Sequence, residues 1–223
     1  MPGLIQSSML IFKKDLLSEF RTRYALNSLL MFALVTISII RFAVGDEQTE
    51  NEILTGLLWI AIFFTSSGGL SRVFIKEEEK ETSPVLKLSS GSLSVFIGKL
   101  FFNLLLTFAA TVFILLLFVM IMDYQIENLI AFLMILVLGI LGLVSASTFI
   151  AAIISKANSK GTLYPVLSFP ILLPLLLTVI NAAKLASLGV SASKISGEFV
   201  ILISYDIVVT TISLMLFKFV WED

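Results

Sequence analysis

Residues 128–154 read NLIAFLMILVLGILGLVSASTFIAAII, a run without one charged side chain. A bilayer's hydrocarbon core is ~30 Å thick and takes about 20 apolar residues to cross as a helix. This run is long enough to cross with tilt or to extend past the lipid. Backbone groups in lipid must pair within their own segment, and the run is far too long for a barrel strand, so it reads as a transmembrane helix. Working outward from it, five further stretches qualify, at about 27–44, 53–71, 100–122, 162–183 and 198–219. The fold class expected is all-α, a polytopic membrane protein organised as a single transmembrane domain over 1–223.

Composition points the same way. Of 223 residues, 58% are hydrophobic and 14% charged, against roughly 25% charged in soluble domains. Mean hydropathy is +1.05. A soluble chain of this size could not cover so much apolar surface with so few charges. The opening MPGLIQSSMLIFKKDLLSEF lacks the basic-then-apolar order and small-residue cleavage site of a signal peptide, and reads as mature protein.

Lys and Arg set the orientation. With the N-terminus in the cytoplasm, 12 of the 15 cations fall on the cytoplasmic side, leaving Arg41, Lys184 and Lys194 outside. Six spans then put both termini in the cytoplasm. Ahead of the first span, over 4–23, Ile5, Met9, Phe12, Leu16 and Phe20 recur at spacings of three and four, with Lys14, Ser18 and Arg21 on the other face. That pattern predicts an amphipathic helix lying in the interface.

Residues 72–99 form the longest charged segment. Glu77, Glu78, Glu79 and Glu81, with Lys76 and Lys80, are expected to extend the second span into the cytoplasm as a helix that Pro84 ends or bends. Ser92 is a candidate N-cap, followed by a short amphipathic piece over 93–99 that re-enters the membrane. An acidic run is usually a solvated helix face. Placed beside a short helix under the membrane, it is better read as a docking surface for an energy-coupling partner, with Leu93 and Phe96 contributing.

With no Cys and no His, disulfides, thiolate or imidazole metal sites, and Ser-His or Cys-His nucleophile pairs fall away. The nearest approach to a phosphate loop, Gly98-Lys99, is followed by Leu100 where Ser or Thr is required. The chain is not expected to be an enzyme, so energy must come from a partner. Asp206 lies in the last span, at a depth where a lone carboxylate is costly. It is expected to pair with Arg41, to bond hydroxyls such as Thr210 and Thr211, or to be protonated, in a structural or a substrate-path role. Pro170 and Pro174 share one face of the fifth span and free two backbone carbonyls. They predict a kink, either mobile or static.

The amphipathic start FKKDLLSEFR, the segment IKEEEKETSPVLKLSSGSLSVFIGKL, the span PVLSFPILLPLLL and the close YDIVVTTISLMLFKFVWED together resemble the CcmB family. That family is the membrane subunit of the haem-related ABC system of cytochrome c maturation. Glu81-Thr82 and Ser89-Ser90-Gly91 depart from the Asp-Gly and Pro-Leu-Pro of many members. The resemblance implies six helices of ABC-2 permease type in a bacterial inner membrane. It implies a CcmA-type ATPase docking on 76–99, a CcmC-type haem-handling partner, and ATP-driven haem transfer or release of a haem-loaded chaperone. ATP would belong to the ATPase. Haem would be ligated by a partner, since only Met and Tyr among its usual ligands are present here. A second membrane unit is expected, either another copy of the chain or the CcmC-type protein. No nucleic-acid partner is expected. The alternatives are an ABC-2 permease for another lipid, drug or polysaccharide, an intramembrane enzyme, and a passive assembly scaffold.

Overall fold

The computed structural model describes residues 3–45, 49–71, 73–79, 82–156 and 160–222; residues 76, 79, 160–162 and 222 are described in backbone only. The described residues form helices: α1 Leu4–Thr22, α2 Tyr24–Val44, α3 Asn51–Leu70, α4 Ile75–Glu79, α5 Ser83–Ser89, α6 Ser92–Met122, α7 Leu129–Ser155, α8 Lys160–Ser187 and α9 Ser196–Glu222. Six of them (α2, α3, α6, α7, α8 and α9) are long and apolar enough to cross a membrane.

The uncharged run that decides the fold class becomes the hub. α7 packs against α3, α4, α6, α8 and α9. It can do so because it carries small residues where its neighbours come closest. A Cβ at Gly139 would stand 2.5 Å from the Trp59 ring of α3, and one at Gly142 would collide with Asp206 of α9 and Leu175 of α8. In lipid, where burial of apolar surface no longer drives association, such close backbone approach is what holds helices together. α2 and α9 lie at the margin, with most of their length facing outward.

The segment between α3 and α6 differs from expectation. α3 stops at Leu70 instead of continuing through the glutamates, and α4 is a separate turn of helix. The break has a packing cause: Phe74, between them, is fully buried in the core. Pro84 opens α5 rather than ending a helix, at a first-turn position where its missing N–H costs nothing. No separate piece forms over 93–99. α6 runs unbroken for 31 residues from Ser92, with Gly91 as its N-cap in place of the expected Ser92. At 1.5 Å per residue it is ~46 Å long and outreaches the hydrocarbon core.

The end opposite the cation-rich one is stitched by side chains. Thr55 Oγ1 lies 2.7 Å from the Tyr124 hydroxyl and 3.3 Å from Ser187 Oγ. Asn128 accepts from Ala131 N as the N-cap of α7 and donates to Val190 O. α8 extends to Ser187, a turn further than its apolar run predicts.

Candidate functional site at the cation-rich end

α1 turns into α2 at Arg23, which takes a left-handed conformation at φ 50°. Glu19 makes that corner. Its backbone carbonyl accepts from Arg23 N, and its buried carboxylate accepts from Leu26 N at 2.9 Å. A carboxylate there satisfies an otherwise orphan donor and complements the positive end of α2. The corner lays α1 across α6. At the crossing, a Cβ on Gly98 would be 2.8 Å from both Ile11 Cβ and Ser8 O, so only glycine admits α1 this closely. The buried face of α1 is therefore Ser7, Ser8, Ile11 and Glu19, while Ile5, Met9 and Phe20 of the apolar stripe point outward.

The crossing brings four charged side chains together. Lys99 Nζ, on a side chain 4% exposed, donates to Glu77 Oε1 at 2.7 Å and stands 2.9 Å from Asp15 Oδ2. The second contact is one of charge, without hydrogen-bond geometry. Lys14 Nζ donates to the same Glu77 oxygen at 2.7 Å and lies 3.2 Å from Asp15. Thr82 Oγ1 donates to the other Glu77 oxygen at 2.5 Å. Burial alone would raise the Glu77 pKa; the charge of Lys99 and the hydrogen bonds from Lys14, Lys99 and Thr82 outweigh it and hold the carboxyl down at about 2. Burial likewise works against the Lys14 ammonium, and Asp15 and Glu77 overcome it, so its pKa is raised. Two cations and two anions, each within reach of an opposite charge, form a balanced cluster that joins α1, α4 and α6.

An aromatic cluster lies beside it. Phe74 packs on Phe217 and Trp221 with ring centroids 5.6 and 5.8 Å apart, Phe96 on Phe217 at 4.9 Å, and Phe217 stacks on Trp221 at 5.7 Å. These separations suit offset and edge-on aromatic pairing. Lys99 and Lys87 lie 5.9 Å from the Phe74 and Trp221 ring centres. The turn after α3, the head of α6 and the tail of α9 are thereby fixed to one another.

Of the residues read as a docking surface, two lie inward. Glu77 is 8% exposed and committed to Lys14, Lys99 and Thr82, and Phe96 is fully buried among the aromatics. Glu78 points toward Lys156 at 3.5 Å, tying α4 to the end of α7. Glu79 closes α4 in the backbone, and Glu81 lies outside the described residues. Leu93 is exposed. Sequence reasoning missed Val85 and Leu88 of α5, which are 65% and 88% exposed; with Pro84 they form an exposed apolar ridge along this short helix. It also missed Asp15, Glu19 and the inward course of Lys99. The available signal was a lysine at the head of an apolar run, which demands a counter-charge.

The mid-membrane residues are not brought together. The Arg41 guanidinium donates to the Gly45 carbonyl. Asp206 lies against Gly142, and both its oxygens are buried without a hydrogen-bond partner, so neither the Arg41 pair nor the local hydroxyl bonds form. Thr210 donates instead to Ser145 of α7 at 3.0 Å. Pro170 and Pro174 lie within α8 and face outward, and the Tyr205 hydroxyl donates to Ile171 O at 2.9 Å. That carbonyl is next to the one Pro174 frees. A further set of hydroxyls, Tyr164 facing Ser147 and Ser67, lies buried between α8, α7 and α3 without well-formed hydrogen bonds. Among the described residues no group of three or more acidic side chains is placed to hold a metal ion.

A family model described as CcmB protein matches residues 6–220. No curated protein matches the chain.

Proposed function

We propose, from the premise that this chain belongs to the CcmB family and is a membrane subunit of the haem-exporter ABC system of cytochrome c maturation, that its cation-rich end receives the stroke of a separate ATPase. The observation that carries the reading is the ridge of Val85 and Leu88: exposed apolar side chains on the short helix α5, which is not one of the six long apolar helices and whose ridge this chain leaves uncovered. Exposed apolar residues with such a setting mark a protein contact. The acidic run lends charge to the surroundings, but its first glutamate, Glu77, serves the inside.

Behind the ridge, hydrogen bonds, ion pairs and ring contacts lead inward. Displacing α5 pulls on Thr82 and Glu77, hence on Lys99 of α6 and Lys14 of α1. Through Lys87 and the aromatic cluster it also bears on α9. A push at one point thus reaches three helices, which suits a lever better than a passive scaffold. With ATP held by a CcmA-type partner, the stroke would drive haem transfer, or release of a haem-loaded chaperone, beside a CcmC-type subunit. Haem would be ligated by that partner, because this chain has neither His nor Cys. This assignment puts both termini and α5 in the cytoplasm of a bacterial inner membrane, in keeping with the distribution of Lys and Arg. A second copy of the chain or the CcmC-type protein would complete the membrane unit.

The test is retention of the ATPase. A Val85→Ser/Leu88→Ser double variant is expected to reach wild-type membrane levels and keep its thermal stability, since both side chains are exposed. It is expected to lose most of the co-purifying ATPase and the mature cytochrome c that depends on it. Full retention of the ATPase by this variant, or labelling of a cysteine at position 88 only from the extracytoplasmic side, would defeat the reading.

A further inference from the structure

We infer that the cleft between α1, α6 and α7 binds one acyl chain of an anionic phospholipid, with Lys13 at its phosphate. Beside the Gly98 crossing lies a cleft of about 690 Å³, lined by Ile5 and Met9 of α1, by Ile97, Phe101 and Phe108 among others of α6, and by Val137 of α7. Its volume is in the range of small-molecule sites. Every lining side chain is apolar except Ser8, whose hydroxyl is already engaged with Leu4 O at 2.9 Å. Water would find no partners there, so the space calls for apolar matter.

Length selects among the apolar occupants. From Ile97 to Phe108 the α6 wall spans ~16 Å at 1.5 Å per residue, about half of a ~30 Å hydrocarbon core. That is one leaflet, the reach of an acyl chain. A transmembrane helix of a second copy or a partner would need a groove running the full core and ~10 Å wide.

Charge selects the headgroup. Ile5, Met9 and Lys13 recur every four residues, so Lys13 continues the cleft-lining stripe by one turn. It is exposed and makes no ion pair among the described residues, unlike Lys14. A long cationic side chain at the rim of an apolar cleft, on a helix with Ile5 and Met9 exposed to the membrane, is placed for an anionic headgroup. The Gly98 seat and the Lys14–Glu77–Lys99 pairs hold α1 over the cleft, so the site is part of the resting architecture and does not depend on the transported substrate.

The experiment uses the full chain in its complex, in nanodiscs of phosphatidylcholine and phosphatidylglycerol, with a diazirine on the acyl chain of one lipid at a time. Labelled residues are read by mass spectrometry. Phe101, Leu105 and Val137 should be labelled several-fold more than Ile207 and Ile212 on the exposed face of α9, and more by phosphatidylglycerol. Leu105→Trp should cut the cleft labelling several-fold and leave α9 unchanged; Lys13→Glu should abolish the phosphatidylglycerol preference. Labelling equal to that of α9 overturns the site. So does a photoreactive residue at 105 that crosslinks to a second copy or a partner helix. An unchanged preference in Lys13→Glu overturns the proposal as stated. The unaltered chain decides the comparison with α9 even if a variant fails to assemble.

Discussion

At the cation-rich end Lys14, Asp15, Glu77 and Lys99 share one cluster in which each charge lies within 3.2 Å of an opposite one. Midway along α9, by contrast, Asp206 stands alone, pressed against Gly142 with neither oxygen hydrogen-bonded. The first region fixes its polar groups by mutual attraction, the second by packing. The difference follows from depth. Near the interface, side chains from three helices converge and charge can be balanced. In the middle of the core a partner must come from a neighbouring span, and the neighbours of Asp206 offer a glycine and a leucine. The two sites should therefore fail in different ways: the junction when charge is unbalanced, the Asp206 site when volume is added.

The largest effect is expected from Lys99→Met. It leaves Glu77 and Asp15 with only the more exposed Lys14 of the cluster's two cations, and breaking a buried pair from one side costs about 3–5 kcal/mol. Thermal unfolding in detergent measures it. Restoration of stability by a further Glu77→Gln change would sharpen the account, while a single variant as stable as the parent would break it.

Glu77→Gln should cost less, about 2 kcal/mol at pH 7, because an amide still accepts hydrogen bonds but no longer as a charged group. Its signature is the pH dependence. The Glu77 pKa is depressed from 4.5 to about 2, so its contribution to stability is fully present above pH 4.5 and is lost as pH falls toward 2. The gap between parent and Gln variant should close over that window. A gap unchanged from pH 5 down to pH 2 would show that the carboxylate charge is not what the cluster uses.

Smallest is Gly142→Ala, where one methyl must displace Asp206 or Leu175 at an overpacking cost of about 1–2 kcal/mol. Adding Asp206→Ala should recover the loss. Recovery by lowering pH alone, with Asp206 intact, would instead mean that electrostatics governs this site too and would erase the contrast.

The sequence by itself determined the number of spans, the separate helix ahead of the first of them and the uneven distribution of Lys and Arg. Each follows from a local quantity: the length of an apolar run, a repeat of three and four, a charge near a span end. Only the tertiary structure decided which glutamate of the run EEE turns inward. Nothing distinguishes Glu77 from Glu78 along the chain. The distinction comes from Lys99 and Lys14, 22 and 63 residues away in sequence and both 2.7 Å away in space. The same holds for Phe74, whose burial breaks α3 from α4, and for Gly98, whose missing side chain seats α1. Solvation in a bilayer acts on each segment separately and is legible in one dimension; close packing and charge pairing act between segments and become visible only once the helices meet.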